Sequence, residues 1–289
     1  MITIDMLRRL WPNGNSKVPG LIEGIAAAAP TVFPKYGLDS DLVVAHAMAQ
    51  FSHECGAGLE MVENLSYSAE RLPEVWPKHF NSSNAGNYAH NPQKLANFIY
   101  EPPVHNDLGN RPDSDDGWNF RGRGLSQVTG RDGYQKLADK TGLNLMTNPS
   151  LLSDPQFALE CGVADFVLCG CLPPAQQDDV VGVTRRLNGG TVGLAEREAW
   201  LSKWKAALAS SPSVARPASV PTSAPVPVPV PAPLPPVVVQ PKHKTGIAVA
   251  VAGIVAALQQ HSIEIAVGIG VAVVVIVLLL HFFWPKKGP

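Results

Sequence analysis

SDLVVAHAMAQFSHECGAG, residues 40–58, is the stretch whose reading decides the fold. Ser40 and Asp41 are suited to a helix start. The following residues are apolar with few interruptions, and Gly56 and Gly58 supply the stop. This predicts a helix over residues 41–54, roughly four turns long. Working outward, residues 93–100, 133–141, 155–169, 178–187 and 194–208 also read as helices, and strand-like alternation is scarce. The expected class is mainly α, and a domain of about 200 residues is long enough to bury a proper core.

Composition divides the chain near residue 210. The part beyond it holds five of the 23 Lys and Arg but only one acid, Glu264, a balance of +4 that leaves −5 for the first 210 residues. An acidic body repels phosphate, which argues against nucleic acid as a partner. Eleven of the 27 prolines fall within residues 212–241, so three regions are expected: a globular domain over 1–210, a Pro-rich linker over 211–243 and a membrane segment over 244–289. Alternating prolines favour polyproline II, and residues 212–241 fully extended would span on the order of 90 Å. Residues 265–280 form an unbroken apolar run that continues through His281 to Phe282, Phe283 and Trp284. That gives about 20 residues, enough for a transmembrane helix. Trp284, Lys286 and Lys287 then read as an interfacial anchor. Residues 247–258 are apolar but short for a span.

The N-terminus shows no cleavable signal peptide, since Pro12, Asn13 and Gly14 interrupt it early. Cys55, Cys161, Cys169 and Cys171 form no CxxC pair and no disulfide ladder, and they read as buried or reduced thiols. No metal site and no cofactor are expected.

Three segments carry the chemistry. In the first, His53-Glu54 invites a zinc-protease reading, but HExxH would need histidine where Ala57 stands. What remains is a pair of carboxylates, Glu54 and Glu63, with Glu60 between. On one continuous helix, nine residues turn about 900° and set the two on opposite faces. With Gly56 and Gly58 breaking the helix first, both could face one cleft. Glycoside hydrolysis needs two such groups, one giving a proton to the leaving oxygen and one activating water or attacking the sugar. Taken alone, such a pair more often decorates a solvated surface. The second segment, residues 116–134, lacks the pattern of a phosphate loop or a nucleophile elbow. Its Gln127, Thr129, Trp118 and Tyr134 supply the amides, hydroxyls and aromatic platforms of a sugar cleft, and a Gly-rich turn is the plainer alternative. In the third, Asn188-Gly189-Gly190 reads as a helix end with a left-handed cap. His53 reads as structural, and Tyr67 either lines the cleft or packs.

AQFSHECGAG (49–58), VENLSYSAERL (62–72), DGWNFRGRGLSQVTGRDGY (116–134), TRRLNGG (184–190) and GLAER (193–197), in that order and spacing, resemble the chitinase-like family-19 glycoside hydrolases. The short bacteriophage endolysins of that family are especially similar, and the resemblance covers roughly residues 1–208. It implies a lysozyme-like, two-lobed helical domain with its site between the lobes. It further implies Glu54 as general acid, Glu63 as general base in an inverting reaction, and a Thr129 hydroxyl that helps hold the attacking water. Gln127 and Asn188 fall on the family's substrate-binding positions, and Arg197, on its late arginine, is expected to join them in binding substrate. Two departures stand out: Cys55 follows the His-Glu pair where Ser or Thr is common, and Gly133 stands where Asn commonly precedes the tyrosine. The expected activity is hydrolysis of β-1,4 bonds in peptidoglycan during host lysis, with the enzyme held at the membrane by its C-terminal helix. The alternatives are a chitinase acting on N-acetylglucosamine polymers, or an inactive wall-binding tether.

Overall fold

A computed structural model describes residues 1–210. They form α1 (Ile4–Leu10), α2 (Leu21–Lys35), α3 (Asp41–Glu54), α4 (Arg71–Val75), α5 (Pro92–Tyr100), α6 (Asp116–Asn119), α7 (Arg131–Thr141), α8 (Ala158–Leu168), α9 (Leu172–Gln176), α10 (Val180–Asn188) and α11 (Leu194–Ala209). The class is mainly α. Extended pairing among the described residues is confined to isolated antiparallel bridges, Val62 with Arg123 and Arg123 with Val128. The linker expected over 211–243 and the apolar runs at 247–258 and 265–284 lie outside the described residues. Among those described, no helix is long and apolar enough to cross a membrane.

Helix starts follow the sequence. Thr3, Ser40, Asn91 and Asp179 each accept a hydrogen bond from the backbone N–H three residues on, opening α1, α3, α5 and α10. The 15-residue α2 was not foreseen, because Pro30 and Pro34 lie inside it. An interior proline costs about 3 kcal/mol through its missing donor and its ring. Leu21, Ile22, Ile25, Ala29, Val32 and Phe33 are all buried on α2. At roughly 1.5–3 kcal/mol for each large apolar side chain, that face outweighs the prolines.

Every residue of α3 from Val43 to Ser52 is buried, so this helix runs through the middle of the larger hydrophobic core, as a helix apolar nearly all round must. Helices α8 to α11 pack on it, and α2 packs on α8. Ser52 fastens the two ends of the domain to α3. Its hydroxyl accepts from the indole N–H of Trp11 at 2.9 Å and of Trp204 at 2.8 Å, and donates to the Met48 carbonyl at 2.7 Å. The two indoles meet edge to face, 6.3 Å between centroids. Gly24 permits the tight seat of α2, since a Cβ there would lie 2.1 Å from the Pro155 carbonyl oxygen. Cys55 and Cys161 are buried, and burial pushes both thiols up to about 12, so they pack as inert apolar groups.

A second, smaller core lies between residues 65 and 100. Leu65, Leu72, Phe80, Leu95, Ile99 and Tyr100 form its interior, with Phe80, Tyr88 and Phe98 in mutual ring contact at 4.8–5.4 Å. Glu54 ends the helix at the centre of the first core. Glu63 lies two residues before Leu65, where the chain enters the second.

Candidate active site

The route from Glu54 to Glu63 is fixed by backbone geometry. After α3 the chain turns through residues 56–58, with Gly56 and Ala57 both at φ 54 and Gly58 at φ 90. Gly58 also touches Gly14: a Cβ there would lie 2.9 Å from the Gly14 backbone. The Glu60 N–H then donates back to the Cys55 carbonyl at 2.9 Å. Beyond it the chain is extended and pairs with the second segment, through Glu63 N–H to Gly122 O and Gly124 N–H to Met61 O, both 2.9 Å. The two glutamates therefore stand on different elements, one at a helix end and one on an extended strip.

Glu54 is held by Arg197. The Arg197 Nη2 donates to Glu54 Oε1 at 2.5 Å, with the two side chains 1% and 13% exposed respectively. Arg197 also donates to the Gln50 side-chain oxygen, and its Nε to the Val192 carbonyl at 3.3 Å. Gln50 in turn donates to Thr184 Oγ1 at 3.1 Å, and Thr184 to the Val180 carbonyl at 2.7 Å. This network joins α3, α10 and α11 behind the carboxylate. Arg197 reaches Glu54 from inside the protein, so its contacts are with the carboxylate and its own neighbours. His53 packs against Gly193, where a Cβ would lie 2.3 Å from its ring. Burial, with Arg197 adding to it, lowers the His53 pKa and keeps the ring neutral near pH 7. Asn188 closes α10 and is partly buried, and Gly189 at φ 80 forms the left-handed cap.

Glu63 has a different setting. Its Oε1 accepts from the Tyr100 hydroxyl at 2.5 Å and its Oε2 from the Gly122 N–H at 3.2 Å. Burial raises its pKa, against the lowering effects of the Tyr100 bond, the Gly122 N–H, Arg121 and Arg123. Burial alone raises that of Glu60. Tyr67 lies near Glu63, and its phenol is pushed up to about 12, first by burial and then by that carboxylate.

The second segment forms the wall behind Glu63. Gln127, at φ 52, spends both amide hydrogens on backbone, donating to the Glu60 carbonyl at 2.7 Å and the Gly124 carbonyl at 2.9 Å. It thereby ties this segment to the loop between the two glutamates, leaving only its side-chain oxygen for other partners. Thr129 Oγ1 donates to the Gln127 carbonyl at 3.2 Å, so it stands two residues from that tie with both lone pairs available. Trp118 is half-buried, with the Arg121 guanidinium 3.5 Å from its ring centroid. Tyr134, read from sequence as an aromatic platform, is fully buried. Its hydroxyl donates to the Arg121 carbonyl at 2.8 Å and accepts from Arg123 at 3.0 Å, and its ring meets Phe120. Its place is inside the wall and away from any open cleft surface. Among the described residues, no group of three or more His, Cys, Asp or Glu side chains is placed to hold a metal ion.

Sequence reasoning missed Tyr100, Gln50 and Thr184. Gln50 and Thr184 sit four residues from Glu54 and from Asn188, one helical turn behind each. That spacing is the signal that could have found them. Tyr100 carries no local signal, because its bond to Glu63 spans 37 residues.

No family model matches the chain. A curated Haemophilus influenzae protein, described as a glycosyl hydrolase family 19 domain-containing protein, is 34% identical over 186 residues, spanning 63% of this chain and 88% of its own length. Among solved structures, chitinase C from Streptomyces griseus is similar at 17% identity and a TM-score of 0.45, over 72% of this chain and 76% of that one. A bacterial family 19 chitinase is similar at 18% identity and a TM-score of 0.46, over 73% and 96%.

Proposed function

The chain belongs to glycosyl hydrolase family 19 and is a glycoside hydrolase, and from that premise we propose that residues 1–210 cleave β-1,4 bonds in the glycan strands of peptidoglycan, as a bacteriophage endolysin does in host lysis. The observation that carries this reading is the pair of glutamates presented from two different elements, Glu54 at the end of α3 beside a buried arginine and Glu63 on an extended strip between a phenol and a backbone N–H; which of them is the acid follows the motif resemblance. Glu54 gives its proton to the leaving oxygen. Arg197 then faces the carboxylate left behind and stabilises its charge. Glu63 takes a proton from water on the opposite face of the sugar, with the Thr129 hydroxyl helping to hold that water. Each Glu63 oxygen accepts one bond from the protein and keeps a second lone pair for the water. Gln127, Asn188 and the Trp118 face contribute sugar contacts.

Reducing-end release from purified peptidoglycan and from chitin oligomers tests the substrate. Faster release from peptidoglycan is expected, and release from chitin alone would replace this reading with a chitinase. An inverting reaction delivers the α-anomer first, and a β-product in early NMR spectra would exclude it.

The apolar run at 265–284, flanked by Trp284, Lys286 and Lys287, supports a C-terminal membrane anchor joined to the enzyme through the proline-rich segment 211–243. Full-length protein should sediment with membranes and resist a high-salt wash. Recovery wholly in the soluble fraction would remove the anchor from this account.

A further inference from the structure

Tyr100 ends α5 and belongs to the second core, where it is 3% exposed. Its hydroxyl has one hydrogen to give, and gives it to Glu63 Oε1 at 2.5 Å. Its backbone is held as firmly as its ring. The Tyr100 carbonyl accepts from Asn110 Nδ2 at 2.8 Å, and Asn110 Oδ1 accepts from the Arg131 N–H at 2.8 Å, at the start of α7. Asn110 is itself buried, 6% exposed. A continuous hydrogen-bonded line thus runs from the first turn of α7 through Asn110 and Tyr100 to the carboxylate.

We propose that Tyr100, locked by Asn110, is the positioning residue of the general base: its phenol fixes the orientation of the Glu63 carboxylate and keeps it ionised, so that one oxygen stays aimed at water. This inference rests on the assignment of Glu63 as base. The physical need for such a residue comes from the site itself. Burial disfavours the Glu63 anion, and a group that must accept a proton has to be anionic first. The groups that face it from the packed elements are Tyr100 on α5, Tyr67 on the strip that follows it, Arg121 and Arg123 on the strip it pairs with, and Tyr134 on α7. Tyr100 is the one whose side chain donates directly to the carboxylate; Gly122 donates from the backbone. The donated bond is stronger to the anion than to the neutral acid, because charge-assisted bonds are the strong ones. Losing it therefore shifts Glu63 toward its protonated, inactive form.

The test is the pH profile of kcat/KM for the full chain, wild type against Tyr100→Phe, which keeps the ring and removes only the hydroxyl. The acid limb should move up by about one pH unit, a tenfold loss of rate well below the wild-type midpoint that shrinks as the pH rises. Replacing Tyr100 by 3-fluorotyrosine, a stronger donor, should move the limb the other way. The Glu63 carboxyl carbon, followed by NMR and assigned through Glu63→Gln, should titrate with the same displacements whether or not any substrate is cleaved. A uniform rate loss at all pH values, or an unmoved Glu63 titration in Tyr100→Phe, overturns the proposal. Failure to cleave either glycan would instead strike the functional reading and leave the carboxyl titration to decide the role of Tyr100.

Discussion

Glu54→Gln should lower hydrolysis by about 10²–10⁴-fold, the range a positioned general acid supplies. Glutamine keeps the length and planarity of the side chain, and its carbonyl oxygen can still accept from Arg197 Nη2, so the helix end and the network behind it stay built. What it lacks is a proton that can be given up as the sugar–oxygen bond breaks. Turbidity of permeabilised Gram-negative cells and reducing ends from purified walls are the two measurements. Full activity in this variant would remove Glu54 from the chemistry and, with it, the two-carboxylate mechanism.

Arg197→Ala should strongly lower stability. Arg197 is 1% exposed and serves Glu54, Gln50 and the Val192 carbonyl together. Removing one partner of a buried hydrogen-bonded network of this kind costs about 3–5 kcal/mol, because the three acceptors that Arg197 serves are left buried without their donor. For a domain of this size each kcal/mol lowers the Tm by about 2–4 °C, so a fall on the order of 10 °C is expected by calorimetry. The exposed pair of Arg8 with Glu23, 60% and 40% accessible, provides the contrast. Arg8→Ala should change stability by about 1 kcal/mol or less, since water screens such pairs. Equal effects from the two substitutions would mean that the Arg197 network carries no special share of the fold.

Much of the helical framework was written locally. Ser40 and Asp41 opened α3 where the sequence placed it, and 93–100 and 194–208 fell within one residue of α5 and α11. These helices announce themselves through caps and apolar spacing, both of which act within a few residues. α2 did not, because Pro30 and Pro34 argue locally against a helix that tertiary burial stabilises. α7 begins at Arg131, two residues before the expected start, because Gly130 at φ 89 sets its N-cap. The same division holds in the site. Glu54 and Glu63 stand in motifs, so sequence alone nominates them as candidates. Tyr134 sits in a motif too, yet burial decides what an aromatic ring can touch, and no spacing rule encodes that. Tyr100 is tied to Glu63 by packing of the second core, a relation that no stretch of sequence contains.

The shared bond at Ser52 has a mechanical consequence. The chain beyond Ser210 continues directly from α11, so any tension carried along it enters the domain at the end of that helix. Trp204 lies six residues before that point and is clamped to Ser52 in the last turn of α3, which also receives Trp11 from the N-terminal side. A pull on α11 is therefore taken up as shear against the buried central helix before it reaches Arg197, seven residues further in. A hydrolase working under load would keep its acid and its arginine in register because α11 and α3 are fastened to each other two residues from Glu54 and seven from Arg197, so the two helices shift together.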